Sequence, residues 1–140
     1  AAAQSAPGAG KGYKVVYQLS EGIDQAVRAI GNLRNHLNAA PGTRIVVVAF
    51  GHGVEFLVEG AKDAQGRTFD APVAALAGMG VEFRVCGLAA VDYGYRHEDF
   101  HDFVKVAPSA ISEIAHWQLQ GYALITPQVL NKKFAIEEIR

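Results

Sequence analysis

The sequence predicts an α/β fold, a three-layer sandwich in which helices cover both faces of a mostly parallel sheet of about five strands. Apolar, β-branched runs alternate along the chain with stretches whose apolar residues recur at helical spacing. One run, residues 44–50 (RIVVVAF), is almost continuously apolar. Such a run is typical of a strand that is buried on both faces of a parallel sheet.

Five segments have the composition of strands, namely residues 13–19, 44–50, 81–86, 104–106 and 122–126. Residues 87–103 are expected to form short helical pieces and a loop. The first predicted helix carries Ile23, Val27, Ile30, Leu33 and Leu37 on one face, with Ser20 as its cap and His36 favouring its C-terminal dipole. A short helix is expected over residues 54–60.

Two further helices are predicted in the second half of the chain. Asp70 is expected to cap a helix that ends at Gly78. Pro108 and Ser109 open the last helix, whose predicted apolar face consists of Ile111, Ile114, Ala115 and Leu119. His116 and Trp117 fall off that face, so we expect them to point to solvent or to a partner.

Length and charge narrow the classes of function. The 140 residues, half of them hydrophobic, suit one domain with its own core. The formal net charge is −1 and no block of like charge occurs, which argues against binding to nucleic acid or to an anionic membrane. The longest apolar run, residues 45–50, is far shorter than the roughly 20 residues of a membrane span.

The chain divides into a flexible leader over residues 1–12, a domain over residues 13–127 and a tail over residues 128–140. The leader (AAAQSAPGAGKG) consists of small and polar residues. Such residues fit the start of an exported protein, so a periplasmic or otherwise exported location is expected, with a cytoplasmic one as the alternative. They also fit the remnant of an expression tag. The tail is expected to form an extra helix or to pack on a neighbouring subunit.

Cys86 is the only cysteine and ends the strand predicted over residues 81–86. In parallel sheets ligands bind outside the carboxyl ends of the strands. A thiol at that place, close to the start of a helix, is favoured as thiolate and can attack sulfur electrophiles, carry a persulfide or bind a soft metal. The opposing interpretation is a small buried hydrophobe, the commonest fate of a free cysteine.

His52 lies between two glycines in a turn that follows the strand over residues 44–50, and therefore at the same edge as Cys86. The histidine could stabilise a thiolate, move a proton or bind a metal. The alternative is a turn residue whose ring lies in solvent. Glycines allow the backbone to approach a ligand closely. The candidate ligand-binding residues are Gly51, Gly53, Gly87 and Tyr93.

The segment from His97 to His101 reads HEDFH and matches H-E-x-x-H literally. However, it is short, and it lies between Gly94 and a strand rather than within a long amphipathic helix. We therefore expect a solvated polar surface here and not a protease site. No cofactor is expected. Binding of a metal or haem by His52, Cys86, His97 and His101 is the alternative.

Four stretches together resemble the DsrE/DsrF-like family: YKVVYQLS, RIVVVAFGHGVEFL, GVEFRVCGLAAVDYGY and VAPSAISEIAHWQLQGYALITP. The resemblance covers residues 13–127. It is carried by a combination: a glycine turn after the second long strand, a cysteine at the end of the next strand, and the final PSAISEI and QGYALI segments. The His-rich loop over residues 93–103 does not match the family.

The resemblance implies a small DsrE-like α/β domain that assembles as a homotrimer or hexamer and acts in sulfur oxidation or relay. In relay members a cysteine at the end of this strand accepts persulfide sulfur, and Cys86 is the matching residue. The expected function is therefore a carrier, more than a turnover enzyme, that exchanges sulfane sulfur with donor and acceptor proteins or small sulfur compounds. His52 is expected to stabilise the anion. The alternatives are a metal- or haem-binding protein and an oligomeric interaction module whose Cys86 is inert.

Overall fold

A computed structural model describes residues 12–129 and confirms the predicted α/β class. Five strands form one sheet in the order β4-β3-β2-β1-β5, and all of its neighbouring pairs are parallel. The strands are β1 (Lys14–Leu19), β2 (Arg44–Ala49), β3 (Glu82–Cys86), β4 (Val104–Ala107) and β5 (Ala123–Ile125). The predicted leader and tail lie almost entirely outside the described residues.

Four α-helices connect the strands: α1 (Ile23–Ala39), α2 (Asp70–Gly78), α3 (Gly87–Asp92) and α4 (Ala110–Leu119). From β1 to β4, each strand lies beside the previous one, always on the same side of it. Right-handed crossovers therefore place α1, α2 and α3 on the same face of the sheet. The connection to β5 runs back across the sheet, which places α4 on the other face. The result is the predicted three-layer arrangement, with a single helix in one of the outer layers.

The central strand β2 explains the apolar run in the sequence, because five of its six residues are buried. Its neighbours β1 and β3 extend the core on both sides, and Phe83 of β3 packs edge-on against Phe56 with ring centroids 6.3 Å apart. Within residues 12–129, no helix combines the length and the hydropathy that crossing a membrane requires.

The two predicted side-chain caps, Ser20 and Asp70, are wrong. The residue before α1 is Gly22, with φ 105°, and the backbone N–H of Ser20 donates to Oε1 of the buried Gln25 at 2.8 Å. Asp70 is the first residue of α2, and its Oδ1 accepts a hydrogen bond from the backbone of Gly60 at 2.9 Å. Neither side chain therefore caps the start of the helix that follows it.

The expected cationic role of His36 at the end of α1 is not favoured either. Its Nδ1 shares a hydrogen bond of 2.7 Å with the hydroxyl of Tyr17. Burial lowers the pKa of His36 and raises the pKa of Tyr17 to about 12. The structure therefore favours a neutral imidazole, which cannot complement the helix dipole as a charge.

The predicted apolar face of α4 is also wrong. Ile111 and Leu119 are 70% and 85% exposed, whereas Ile114 is buried. Trp117, expected in solvent or at a partner, is half-buried and donates its Nε1–H to Glu113 at 2.8 Å. The side of α4 that faces the sheet therefore carries both apolar and charged residues, because Glu113 forms an ion pair with Arg84 of β3. Ile111 and Leu119 are left on the outer side of the helix.

The turn after β2 packs tightly against the end of β1. The expected short helix over residues 54–60 is a 3₁₀ helix that begins earlier and spans Gly51–Leu57. A Cβ at Gly53 would lie 2.1 Å from the carbonyl oxygen of Leu19 and 2.9 Å from the backbone nitrogen of Ser20. Only glycine fits this close approach, since both neighbouring atoms are backbone.

We predict that Gly53→Ala lowers the free energy of unfolding by about 1–3 kcal/mol or more, because the methyl group forces the backbone of β1 to shift. Gly31→Ala in the middle of α1 is the matched control. A Cβ there meets nothing within 4 Å, so it should stabilise the helix by up to about 1 kcal/mol. Urea unfolding of both variants measures the two effects. Equal stability of the Gly53 variant and the parent would contradict the packing described.

Candidate functional site at the carboxyl edge of the sheet

Cys86 lies where the sequence predicts it, at the end of β3 and directly before α3. It pairs in register with Ala107 of β4 and is 8% exposed. Side chains alternate along a strand, and Arg84 reaches Glu113 of α4. Cys86, two residues after Arg84, therefore lies on the face of the sheet that carries α4.

His52 lies in the 3₁₀ helix that follows β2 and is 60% exposed at its side chain. Its Nδ1 is 3.1 Å from Oε1 of Glu55. Its ring packs on Tyr93 with the centroids 4.5 Å apart and the planes tilted by 42°. A carboxylate at Nδ1 favours the tautomer that carries its proton there, which leaves Nε2 free to accept a proton.

The structure brings His52 and Tyr93 together but does not join His52 to Cys86. Both residues follow neighbouring parallel strands, so they share the carboxyl edge of the sheet, the edge at which the strands end. Among residues 12–129, no hydrogen bond or ion pair connects their side chains. The neighbours of His52 are instead Glu55, Tyr93 and Gly22. A Cβ built on Gly22 would lie 3.6 Å from the Cβ of His52.

The candidate ligand-binding glycines have packing roles at this edge. Gly51 has a φ of 54°, which lets the chain turn at the end of β2. A Cβ at Gly87 would lie 3.2 Å from both the carbonyl oxygen of Ala107 and Cγ1 of Val106. Gly87 therefore allows the start of α3 to pass close to β4, beside Cys86.

The HEDFH segment does not form the helical pair that its spacing allows. The helix here is a single 3₁₀ turn, His97–Asp99, and His101 lies beyond it. Nε2 of His101 is buried 3.1 Å from Oδ1 of Asp70, yet the two atoms are not aligned for a hydrogen bond. The ring stacks on Phe103. Within the described part of the chain, no three His, Cys, Asp or Glu side chains are grouped so that they could hold a metal ion.

The sequence analysis missed a polar network beneath α4. Arg84 donates two hydrogen bonds to Glu113, at 2.6 and 2.9 Å, and Trp117 donates a third. Burial alone would raise the pKa of Glu113. The hydrogen bonds from Arg84 and Trp117 and the charge of Arg84 outweigh it, so the pKa lies below its ordinary value of 4.5. One feature of the sequence indicates part of this network: Glu113 and Trp117 are four residues apart on a predicted helix, so their side chains are neighbours.

This network holds α4 against β3, two residues before Cys86. We predict that Glu113→Gln lowers the free energy of unfolding by about 1–3 kcal/mol at neutral pH. Because the folded-state pKa is depressed, the stabilisation by the carboxylate is present above pH 4.5 and is lost as the pH falls through the lowered folded value. The difference between the parent and the variant should therefore shrink below pH 4.5.

Denaturant unfolding between neutral and acidic pH measures this difference. Glu98→Gln is the matched control, because the side chain of Glu98 is 70% exposed and its ion pair with Arg96 lies on the surface. A difference for Glu113→Gln that stays constant across the acid range would show that the carboxylate charge does not stabilise the fold.

Comparison with known proteins identifies one family and several solved structures of similar fold, two of which are described below. The model of the DsrE/DsrF-like family matches residues 14–127. A protein of unknown function, MTH1491 from Methanobacterium thermoautotrophicum, is 28% identical, with a TM-score of 0.74 over 82% of this chain and 99% of that chain. The ychN protein from E. coli shares the fold at 14% identity, with a TM-score of 0.70 over 81% and 98% of the two chains. No curated protein matches. Since the family model covers most of its length, the chain belongs to the DsrE/DsrF-like family.

Proposed function

We propose that this chain handles sulfur and carries sulfane sulfur as a persulfide on Cys86. One observation carries the proposal: Cys86 ends β3 at the carboxyl edge, where parallel sheets bind their ligands. Membership of a family that is associated with sulfur relay supports the same chemistry. The protein acts as a carrier in this proposal, because Cys86 keeps the sulfur until an acceptor removes it and regenerates the thiol.

The transfer consists of two thiol exchanges without net oxidation. The thiolate of Cys86 attacks the outer sulfur of a donor persulfide, a new S–S bond forms on Cys86, and the donor leaves as its thiolate. An acceptor thiolate then attacks the outer sulfur of the Cys86 persulfide, and Cys86 leaves as thiolate. Donor and acceptor can be proteins or small sulfur compounds.

His52 is the second residue of the proposal. With Nδ1 beside Glu55, its Nε2 can take the proton of an incoming thiol or contact an anionic sulfur compound. Because no hydrogen bond or ion pair joins His52 to Cys86 within residues 12–129, we assign His52 to the incoming compound at the carboxyl edge. Tyr93 holds the imidazole ring from one side through its packing contact.

The burial of Cys86 is compatible with an oxidising cellular compartment. We propose that the protein lies in the periplasm or another exported location, with the cytoplasm as the alternative. A lone thiol in an oxidising compartment meets oxidants, and an exposure of only 8% limits its contact with them. Fractionation of cells that express the full gene distinguishes the two locations.

We predict that incubation with a polysulfide adds the mass of one sulfur atom to the intact protein, and that a thiol acceptor removes it again. Intact-mass spectrometry measures both steps. Cys86→Ser should gain nothing, because Cys86 is the only cysteine. His52→Gln should slow the gain, whereas His97→Gln, a histidine outside the site, should not.

Alkylation of the folded protein with iodoacetamide provides the accessibility control. If Cys86 is alkylated under the same conditions but never gains sulfur from polysulfide, the proposed carrier function is wrong. Equal rates for the parent and His52→Gln would remove His52 from the proposal and leave Cys86 in it.

Assembly as a homotrimer or hexamer is part of the same proposal. Two helices present apolar side chains to the outside: Leu88 and Val91 of α3 are 66% and 73% exposed, and Ile111 and Leu119 of α4 are 70% and 85% exposed. Leu88 and Val91 are three residues apart and therefore neighbours on the helix surface. Ile111 and Leu119 lie on one side of α4, with the exposed Ala115 between them, so each helix carries an apolar stripe. Exposed apolar stripes of this kind mark surfaces that bind protein.

We predict that Leu119→Glu lowers the molar mass of the assembly in solution, because a buried charge without a partner disfavours the interface. Size-exclusion chromatography with light scattering measures the mass. Met79→Glu is the matched control, since Met79 is 55% exposed but lies on neither stripe. An unchanged mass for Leu119→Glu would exclude the α4 stripe from the interface.

A further inference from the structure

We propose a second ligand site, a groove between α1 and the loop before α2, that binds a small organic anion with an apolar body. We call it the α1 groove. Its volume is about 330 Å³, which lies within the range of about 300–1,000 Å³ of small-molecule sites. None of its lining residues belongs to the site around Cys86 and His52, so the inference is independent of the proposed sulfur chemistry.

Gly31 leaves one wall of the α1 groove open. It lies in the middle of α1, and a Cβ at this position would meet nothing within 4 Å. Glycine inside a helix costs roughly 1 kcal/mol relative to alanine, and no close packing explains it here. The missing side chain exposes helix backbone to the groove and widens it.

The walls beside Gly31 are apolar. Val27 and Ile30 come from α1, and Phe69 and Pro72 come from the far side. Ile30 and Phe69 are 7% and 3% exposed, whereas Val27 is 46% exposed. A ligand with an apolar body would cover Val27 and remove its surface from water, which is the favourable part of binding.

The charges at the rim select an anion. Arg67 is paired with Asp63, with Nε and Oδ2 3.1 Å apart. Oδ1 of Asp63 accepts two backbone hydrogen bonds of 2.9 Å from its own loop, so this carboxylate is already satisfied. Arg34 has no ion-pair partner among residues 12–129. Two guanidinium groups and one carboxylate give the lining one net positive charge, and Arg34 is free to pair with a carboxylate.

Titration of the ¹⁵N-labelled full chain with octanoate tests the proposal. We expect saturable amide shifts confined to the α1 groove. Octylammonium, a linear alkyl cation of similar length and opposite charge, should produce none. Gly31→Leu should abolish octanoate binding by filling the space, and it should fold, because leucine favours helix. Arg34→Gln should weaken binding by about twofold to fivefold, as expected for an exposed ion pair.

Arg28→Gln is the matched control, because Arg28 is an exposed arginine on the same helix outside the groove. Its affinity for octanoate should equal that of the parent. The proposal is overturned if octanoate produces no saturable shifts, if octylammonium binds equally well, or if Arg34→Gln and Arg28→Gln behave alike. Groove shifts that appear on concentrating the protein without octanoate would overturn it too, since a second copy would then occupy the groove.

Discussion

The close approach of Gly53 to the end of β1 sets the geometry of the carboxyl edge. The backbone of Phe50 donates to the carbonyl of Leu19 at 2.9 Å, and Gly53 then passes the same carbonyl with no room for a side chain. This contact fixes the start of the 3₁₀ helix after β2 against the start of α1. His52, between the two, is thereby held beside Gly22, and its imidazole ring meets Tyr93.

The two faces of the sheet are stabilised in different ways. The face with α1, α2 and α3 is covered by apolar packing around Phe56 and Phe83. The other face carries α4 alone, and the Arg84–Glu113 ion pair holds that helix in place. Cys86 lies on the same face of the sheet as Arg84, two residues further along β3. Ile111 and Leu119 remain exposed on the outer side of α4.

The molecule separates two kinds of chemistry in space. The carboxyl edge carries a buried thiol and, after the neighbouring strand, an exposed histidine whose Nδ1 faces a carboxylate. Along α1, an apolar groove carries an excess of positive charge and contains no thiol and no histidine. We propose transfer of sulfur between thiols for the first arrangement and reversible binding of an anion for the second. Neither depends on the other for its geometry.

The sequence by itself determined the strands, the place of Cys86 at a strand end and the start of α4 at Pro108 and Ser109, because each depends on neighbours along the chain. Ser109 does accept a hydrogen bond from the backbone of Ser112. Only the tertiary structure decided the start of α1, the side of α4 that faces the sheet, and the surroundings of His52. The physical reason is that contacts between residues distant in sequence decide them. Gln25 in the first turn of α1 donates to the carbonyl of Pro127, and the ring of His52 packs on Tyr93. Arg84 is 29 residues from Glu113 and holds α4 through that ion pair rather than through the apolar residues of the helix.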